Sequence, residues 1–176
     1  MKLLIDLIIF ILFTIITYQD FKYRAISWYL IPVIFAMLIY KGLQVTELRE
    51  QANYFFMNAG FVLIQIGGIS LFVSIRNKQF TNIINNQLGI GDVLVLLLLC
   101  LSFSPINFIL FLTASLIMTL LIVIIIFRTF RSNAKHIPLA GYLAAFFNLV
   151  LISQMVFTEI NMYNIHYIEN YLFDLL

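Results

Sequence analysis

Charged side chains lie far apart along this chain, and the stretches between them have the lengths a membrane dictates. A helix crossing the hydrocarbon core needs roughly 20 apolar residues, with about 17 to 25 tolerated. Leu3 to Gln19 is apolar apart from Asp6, which lies near enough to the N-terminus to sit at the interface. Ala25 to Tyr40 is uncharged and slightly short, with Lys41 placed to snorkel to the headgroups. Gln51 to Ile75 makes a full span. Val93 to Phe127 holds 35 uncharged residues, about 52 Å of helix and too long for one crossing. Pro105 lacks an amide proton, and with Ser102, Ser104 and Asn107 it breaks that stretch into a hairpin of two helices, the first starting near Asp92. Ile137 to Thr158 supplies the last crossing. The expected fold is all-α, a polytopic bundle of six transmembrane helices over residues 1–158.

The remaining residues, 159–176, carry Ile160, Tyr163, Tyr167, Ile168, Tyr171, Leu172 and Leu175 at helical spacing. That pattern predicts an interfacial amphipathic helix lying on the bilayer. Lys2 ahead of an apolar run resembles a secretory signal, but Tyr18, Gln19 and Asp20 follow where small residues would mark a cleavage site. The first helix is therefore expected to stay. Orientation follows from the basic residues of short loops. The first, third and fifth loops carry Lys22 and Arg24, then Arg76 and Lys78, then Arg128, Arg131 and Lys135, seven of the ten in the chain. Those loops are expected in the cytoplasm, with both termini outside.

Composition narrows the class further. Of 176 residues 63% are hydrophobic and 10% charged, against about 25% charged in a soluble domain. A water-soluble globule, a disordered chain and a basic nucleic-acid-binding domain are excluded, and a net charge of +2 is too small to imply a polyanionic partner. A single cysteine, Cys100, excludes an internal disulfide framework and a cysteine-based zinc site, and reads as a small buried hydrophobe. No spacing of His, Cys and carboxylates offers a metal site, so neither metal nor cofactor is expected. His136 reads as a solvated loop residue and His166 as an interfacial one.

Of four aspartates, two lie where polar groups are expensive. Asp20 ends the first helix in Tyr18-Gln19-Asp20-Phe21-Lys22-Tyr23-Arg24-Ala25-Ile26. Asp92 opens the fourth in Leu88-Gly89-Ile90-Gly91-Asp92-Val93. The topology puts both on one membrane face, 72 residues apart in sequence but able to meet if helices one and four pack together. Two carboxyls a few ångströms apart cannot both ionise cheaply, so one proton is shared. The ionised partner can then deprotonate water while the protonated one polarises a peptide carbonyl. Gly89 and Gly91, lacking Cβ atoms, permit an unusual turn and close approach of a substrate backbone. Gly91 also exposes the first amides of its helix to a developing charge. Blander roles stand beside this one: Asp20 as a solvated helix end paired with Lys22 or Arg24, and Asp92 as an N-cap.

At these residues the chain resembles the type IV prepilin peptidase family, membrane aspartic proteases of the Gly-x-Gly-Asp type. The family's first motif is an Asp followed by basic residues and Ile-Pro-Asn; here it looks like Asp20 to Ile26, with Ser27 and Trp28 in place of Pro and Asn. The second matches Gly89-Ile90-Gly91-Asp92-Val93, with Leu94 where a Lys often follows. A weaker third likeness is Ile137-Pro138 followed by the small residues Gly141, Ala144 and Ala145. The resemblance runs through nearly the whole chain in motif order. It implies Asp20 and Asp92 as catalytic residues and Gly89 and Gly91 as active-site backbone. Lys22, Arg24 and Pro138 are candidates for contact with substrate or lipid. It further implies a cytoplasmic-membrane enzyme that removes a short basic leader from prepilin-like proteins on the cytoplasmic side. Partners would be that substrate, membrane lipid and the components of a pilus or secretion assembly. Larger members carry a domain with Cys-x-x-Cys motifs, so this chain looks like the compact, peptidase-only form.

Two other functions use the same residues differently. In a small cation- or proton-coupled transporter, Asp20 and Asp92 would bind or relay the ion. Against it, both acids lie near one face rather than at the midplane. In a non-catalytic membrane subunit of a pilus or secretion assembly, the helices would serve only for packing.

Overall fold

A computed structural model describes residues 2–78, 89–130, 138–157 and 162–163. They form six helices and no strand: α1 (Lys2–Tyr23), α2 (Leu30–Leu43), α3 (Leu48–Asn77), α4 (Ile90–Cys100), α5 (Pro105–Phe130) and α6 (Leu139–Val156). α1, α3, α5 and α6 are long and apolar enough to cross a membrane. Their outward side chains, such as Leu63, Ile64, Phe72, Leu120 and Ile125, are large, apolar and exposed, as a lipid-facing surface requires. This is an all-helical membrane protein. The long uncharged stretch divides where Pro105 predicts, with α4 ending at Cys100 and α5 opening on Pro105 itself.

α2 and α4 are shorter, with 14 and 11 residues, or about 21 and 16 Å of helix against a hydrocarbon core of about 30 Å. The backbone that follows α4 explains why it can stop early. Leu101, Ser102, Phe103 and Ser104 are all buried. Asn58 of α3 donates to the carbonyls of Cys100 and Phe103 at 3.0 and 2.9 Å. The Tyr163 hydroxyl donates to Leu101 at 3.1 Å, and the Ser104 amide donates to the Met162 carbonyl at 3.1 Å. Irregular backbone survives at membrane depth only when protein satisfies it in this way. Of the expected tail, Met162 and Tyr163 are the described residues, and both are buried against the α4–α5 turn. Burial and the nearby Asp6 carboxylate push the Tyr163 phenol up from its ordinary pKa, keeping it a donor. The rest of the predicted tail helix, His136, His166 and most of the third and fifth loops lie outside the described residues.

α1 and α6 form the most extensive helix pair, and α4 packs against α2, α3 and α6. Their shared core holds Ile9, Phe13, Ile16, Leu143, Phe147 and Leu151, with Phe13 and Phe147 ring centroids 4.5 Å apart. Gly141 and Ala144 on α6 let α1 approach closely, as small residues do between membrane helices. Cys100 is free and fully buried.

One correction concerns Lys41. Its side chain is not extended outward, and Asp6 is enclosed with it inside the bundle. Both are 5% exposed and form an ion pair at 2.7 Å, with Lys41 also donating to Gln154 at 3.1 Å. A carboxylate facing Lys41 inside the bundle removes the reason to snorkel.

Candidate active site

Three chain segments converge where α1 ends, α4 begins and α6 begins. α1 runs on past Asp20 to Tyr23, and Arg24, in the left-handed region at φ 51°, turns the chain away. The Arg24 amide donates to the Asp20 carbonyl at 3.0 Å, and Gln19 accepts from the Ser27 amide at 2.9 Å, folding the connection back against α1. This fold-back brings Ile26 onto Gly91. A Cβ at position 91 would stand 3.1 Å from the Ile26 Cδ1 atom, so the second glycine of Gly-x-Gly-Asp is read here by the residue that closes the first motif.

α4 starts at Ile90, with Gly89 as its N-cap. Asp92 is therefore not the N-cap but sits one turn in, reaching back so that its Oδ2 accepts from the Gly89 amide at 3.0 Å. That is the carboxylate half of a capping box. Its other oxygen, Oδ1, accepts from the Ala140 amide at 2.7 Å. On the next residue, the Gly141 amide donates to Asp20 Oδ2 at 2.5 Å. Two carboxyls from two helices are thus held by successive amides of a third.

The local sequence accounts for this. Pro138 is the N-cap of α6 and brings no amide of its own. The amides that follow it have no carbonyl one turn earlier to bond, so they point out of the helix and favour negative charge. Gly141 also leaves room for the carboxyl: a Cβ there would lie 3.0 Å from Asp20 Oδ2 and 3.2 Å from the Phe21 ring, so both would have to give way. Sequence reasoning identified both acids but not the amides of Ala140 and Gly141. The readable signal was a proline followed within three residues by a small pair.

Asp20 is buried and Asp92 half-buried. Each is close enough that the Asp92 charge acts on Asp20, as does that of Arg24 with the opposite sign. Among the described residues Asp20 makes no ion pair with Lys22 or Arg24; the single ion pair there is Asp6–Lys41. Lys22 instead donates to the Tyr18 hydroxyl at 2.6 Å and lies 5.1 Å from the ring centroids of Tyr18 and Tyr23. Both oxygens of Asp92 accept amide hydrogens, whereas Asp20 Oδ1 has no hydrogen bond among the described residues. The arrangement offers one fully held acceptor beside one carboxyl with an oxygen to spare, which suits proton exchange with a third molecule. No three His, Cys, Asp or Glu side chains form a metal-ligand group among the described residues. Comparison with family models, curated proteins and solved structures finds no match to this chain.

Proposed function

We propose that this protein is an intramembrane aspartic endopeptidase that removes the short basic leader of prepilin-like proteins. In this reading α2 and α4 also cross the membrane, giving six spans. The Asp20 end faces the cytoplasm, both termini lie outside, and the membrane is the bacterial cytoplasmic one. The observation that carries it is the seating of Asp20 and Asp92 on the successive amides of Gly141 and Ala140. Like charges are not brought together at a helix end for packing alone, because one carboxylate would cap it.

The chemistry needs only these two side chains. The ionised carboxyl takes a proton from water as the water oxygen bonds to the scissile carbonyl carbon, and the protonated carboxyl hydrogen-bonds the carbonyl oxygen. The carbon–nitrogen bond then breaks as the leaving amine takes up a proton from the pair. The uncommitted Oδ1 of Asp20 is the oxygen suited to hold the shared proton. Lys22, Arg24 and Pro138 are the candidates for contact with substrate or lipid in this reading.

The test is cleavage by the purified protein in liposomes. The probe is a prepilin-like protein with a basic leader and an apolar helix of about 20 residues. Cut leader is expected, with no effect of EDTA or of serine- and thiol-directed reagents. Absence of cleavage, or loss with EDTA that zinc restores, would overturn the reading.

A further inference from the structure

The α1–α6 interface contains three polar junctions on an otherwise apolar seam. Asp20 meets the Gly141 amide, Asn148 donates to the Thr14 hydroxyl at 3.0 Å, and Lys41 links Asp6 to Gln154. Moving back along α1 from position 20 to 14 to 6 matches moving forward along α6 from 141 to 148 to 154. That is one antiparallel register held over about 20 Å.

The apolar contacts between these junctions do not choose a register strongly. Ile9, Phe13 and Ile16 share a buried core with Leu143, Phe147 and Leu151, and lipid tails solvate such side chains as well as a neighbouring helix does. A slip of one turn moves α1 by about 5.4 Å. It would exchange one set of apolar contacts for a similar one, but it would take Asp20 out of reach of Gly141. It would also part Asp6 from Lys41 inside the bundle. A buried ion pair adds little stability over apolar residues of the same volume, and its best-attested use is to fix a registry.

We propose that the Asp6–Lys41–Gln154 junction sets the axial register of α1 on α6 and so places the Asp20 carboxyl, making Asp6 and Lys41 positioning residues for the site at the far end of the bundle. The functional consequence rests on the peptidase reading; the register itself does not. Two readouts separate them.

Register is read by oxidative disulfide formation in Thr14→Cys/Asn148→Cys, built on Cys100→Ala, because those two side chains touch. Adding Asp6→Asn or Lys41→Met should reduce the cross-link to background, and the exchange Asp6→Lys/Lys41→Asp should restore it. In the otherwise native protein, the single variants should lower kcat on the order of a hundredfold, as an ångström-scale misplacement does. KM should stay within about twofold, because no substrate-binding group has changed. The exchange should recover kcat.

Wild-type cross-linking in either single variant would overturn the proposal. So would an exchange variant that cross-links, turns over or accumulates no better than the singles. If singles fail to accumulate and the exchange variant does accumulate and cross-link, the pairing is upheld. If the cross-links behave as expected while the unaltered protein cleaves no prepilin-like probe, the peptidase reading fails and the register stands.

Discussion

At one end of α1 two carboxyls of like sign meet on the backbone of α6; at the other, fourteen residues back, Asp6 meets the ammonium of Lys41. Both sites bury charge against α6, and both draw on three helices. The Asp6 end sets its two opposite charges against each other, side chain to side chain. The Asp20 end does the reverse. It uses backbone amides as partners in place of a cation and leaves one Asp20 oxygen without a hydrogen bond among the described residues. A pair of opposite charges is what a membrane bundle needs to stay assembled in one register. A pair of like charges works against assembly, and on the proposed reading it is kept for what it does to a substrate.

Breaking the Asp6 end should cost the most stability. Lys41→Met leaves Asp6 buried without its cation, and removing one partner of a buried pair costs about 3–5 kcal/mol. The double variant Asp6→Asn/Lys41→Met should lose much less, as measured by thermal unfolding in detergent. Equal losses in the single and the double would mean that pairing is not what holds this end.

Crowding the Asp20 end should act on chemistry more than on stability. Gly141→Ala drives a methyl against Asp20 Oδ2 and the Phe21 ring, an overpacking cost of about 1–3 kcal/mol. Cleavage should fall on the order of a hundredfold in protein that is still folded, because the carboxyl is displaced from its amide. Normal turnover in Gly141→Ala would mean that the seat on α6 is not needed.

Asn58→Leu touches neither end. It removes the donor to the Cys100 and Phe103 carbonyls and should cost about 1–3 kcal/mol of stability with cleavage per folded molecule unchanged. Smallest of all, Lys22→Ala removes an exposed side chain bound only to tyrosines. It should change stability by less than about 0.5 kcal/mol, and a large loss of cleavage there would assign Lys22 to the substrate.

The legible parts of this molecule are those carried by neighbours in sequence. Apolar stretch length gave α1, α3, α5 and α6, and Pro105 gave the break between α4 and α5. The Gly-x-Gly-Asp spacing and the Asp at the end of α1 pointed to the two carboxyls that the fold brings onto successive α6 amides. What sequence hid was long-range. Lys41 looks like a snorkelling residue until its partner 35 positions earlier is seen across the bundle. Asp92 looks like an N-cap because the capping box that moves it inside α4 is closed by a glycine amide, which no side chain announces. The amides that seat the acids are likewise backbone, and the buried α4–α5 turn depends on Asn58, Met162 and Tyr163 from both sides of the sequence.

The central claim is that Asp20 and Asp92 act as one unit. Cleavage rates of Asp20→Asn, Asp92→Asn and the double variant test it most directly, because asparagine keeps an oxygen for the Gly141 or Ala140 amide but cannot exchange the proton. Each single variant should lose leader cleavage completely with unfolding temperature and probe binding little changed. The double should be no worse than either, as for residues that work only together. Wild-type turnover in Asp92→Asn, or losses in the singles that multiply in the double, would contradict it.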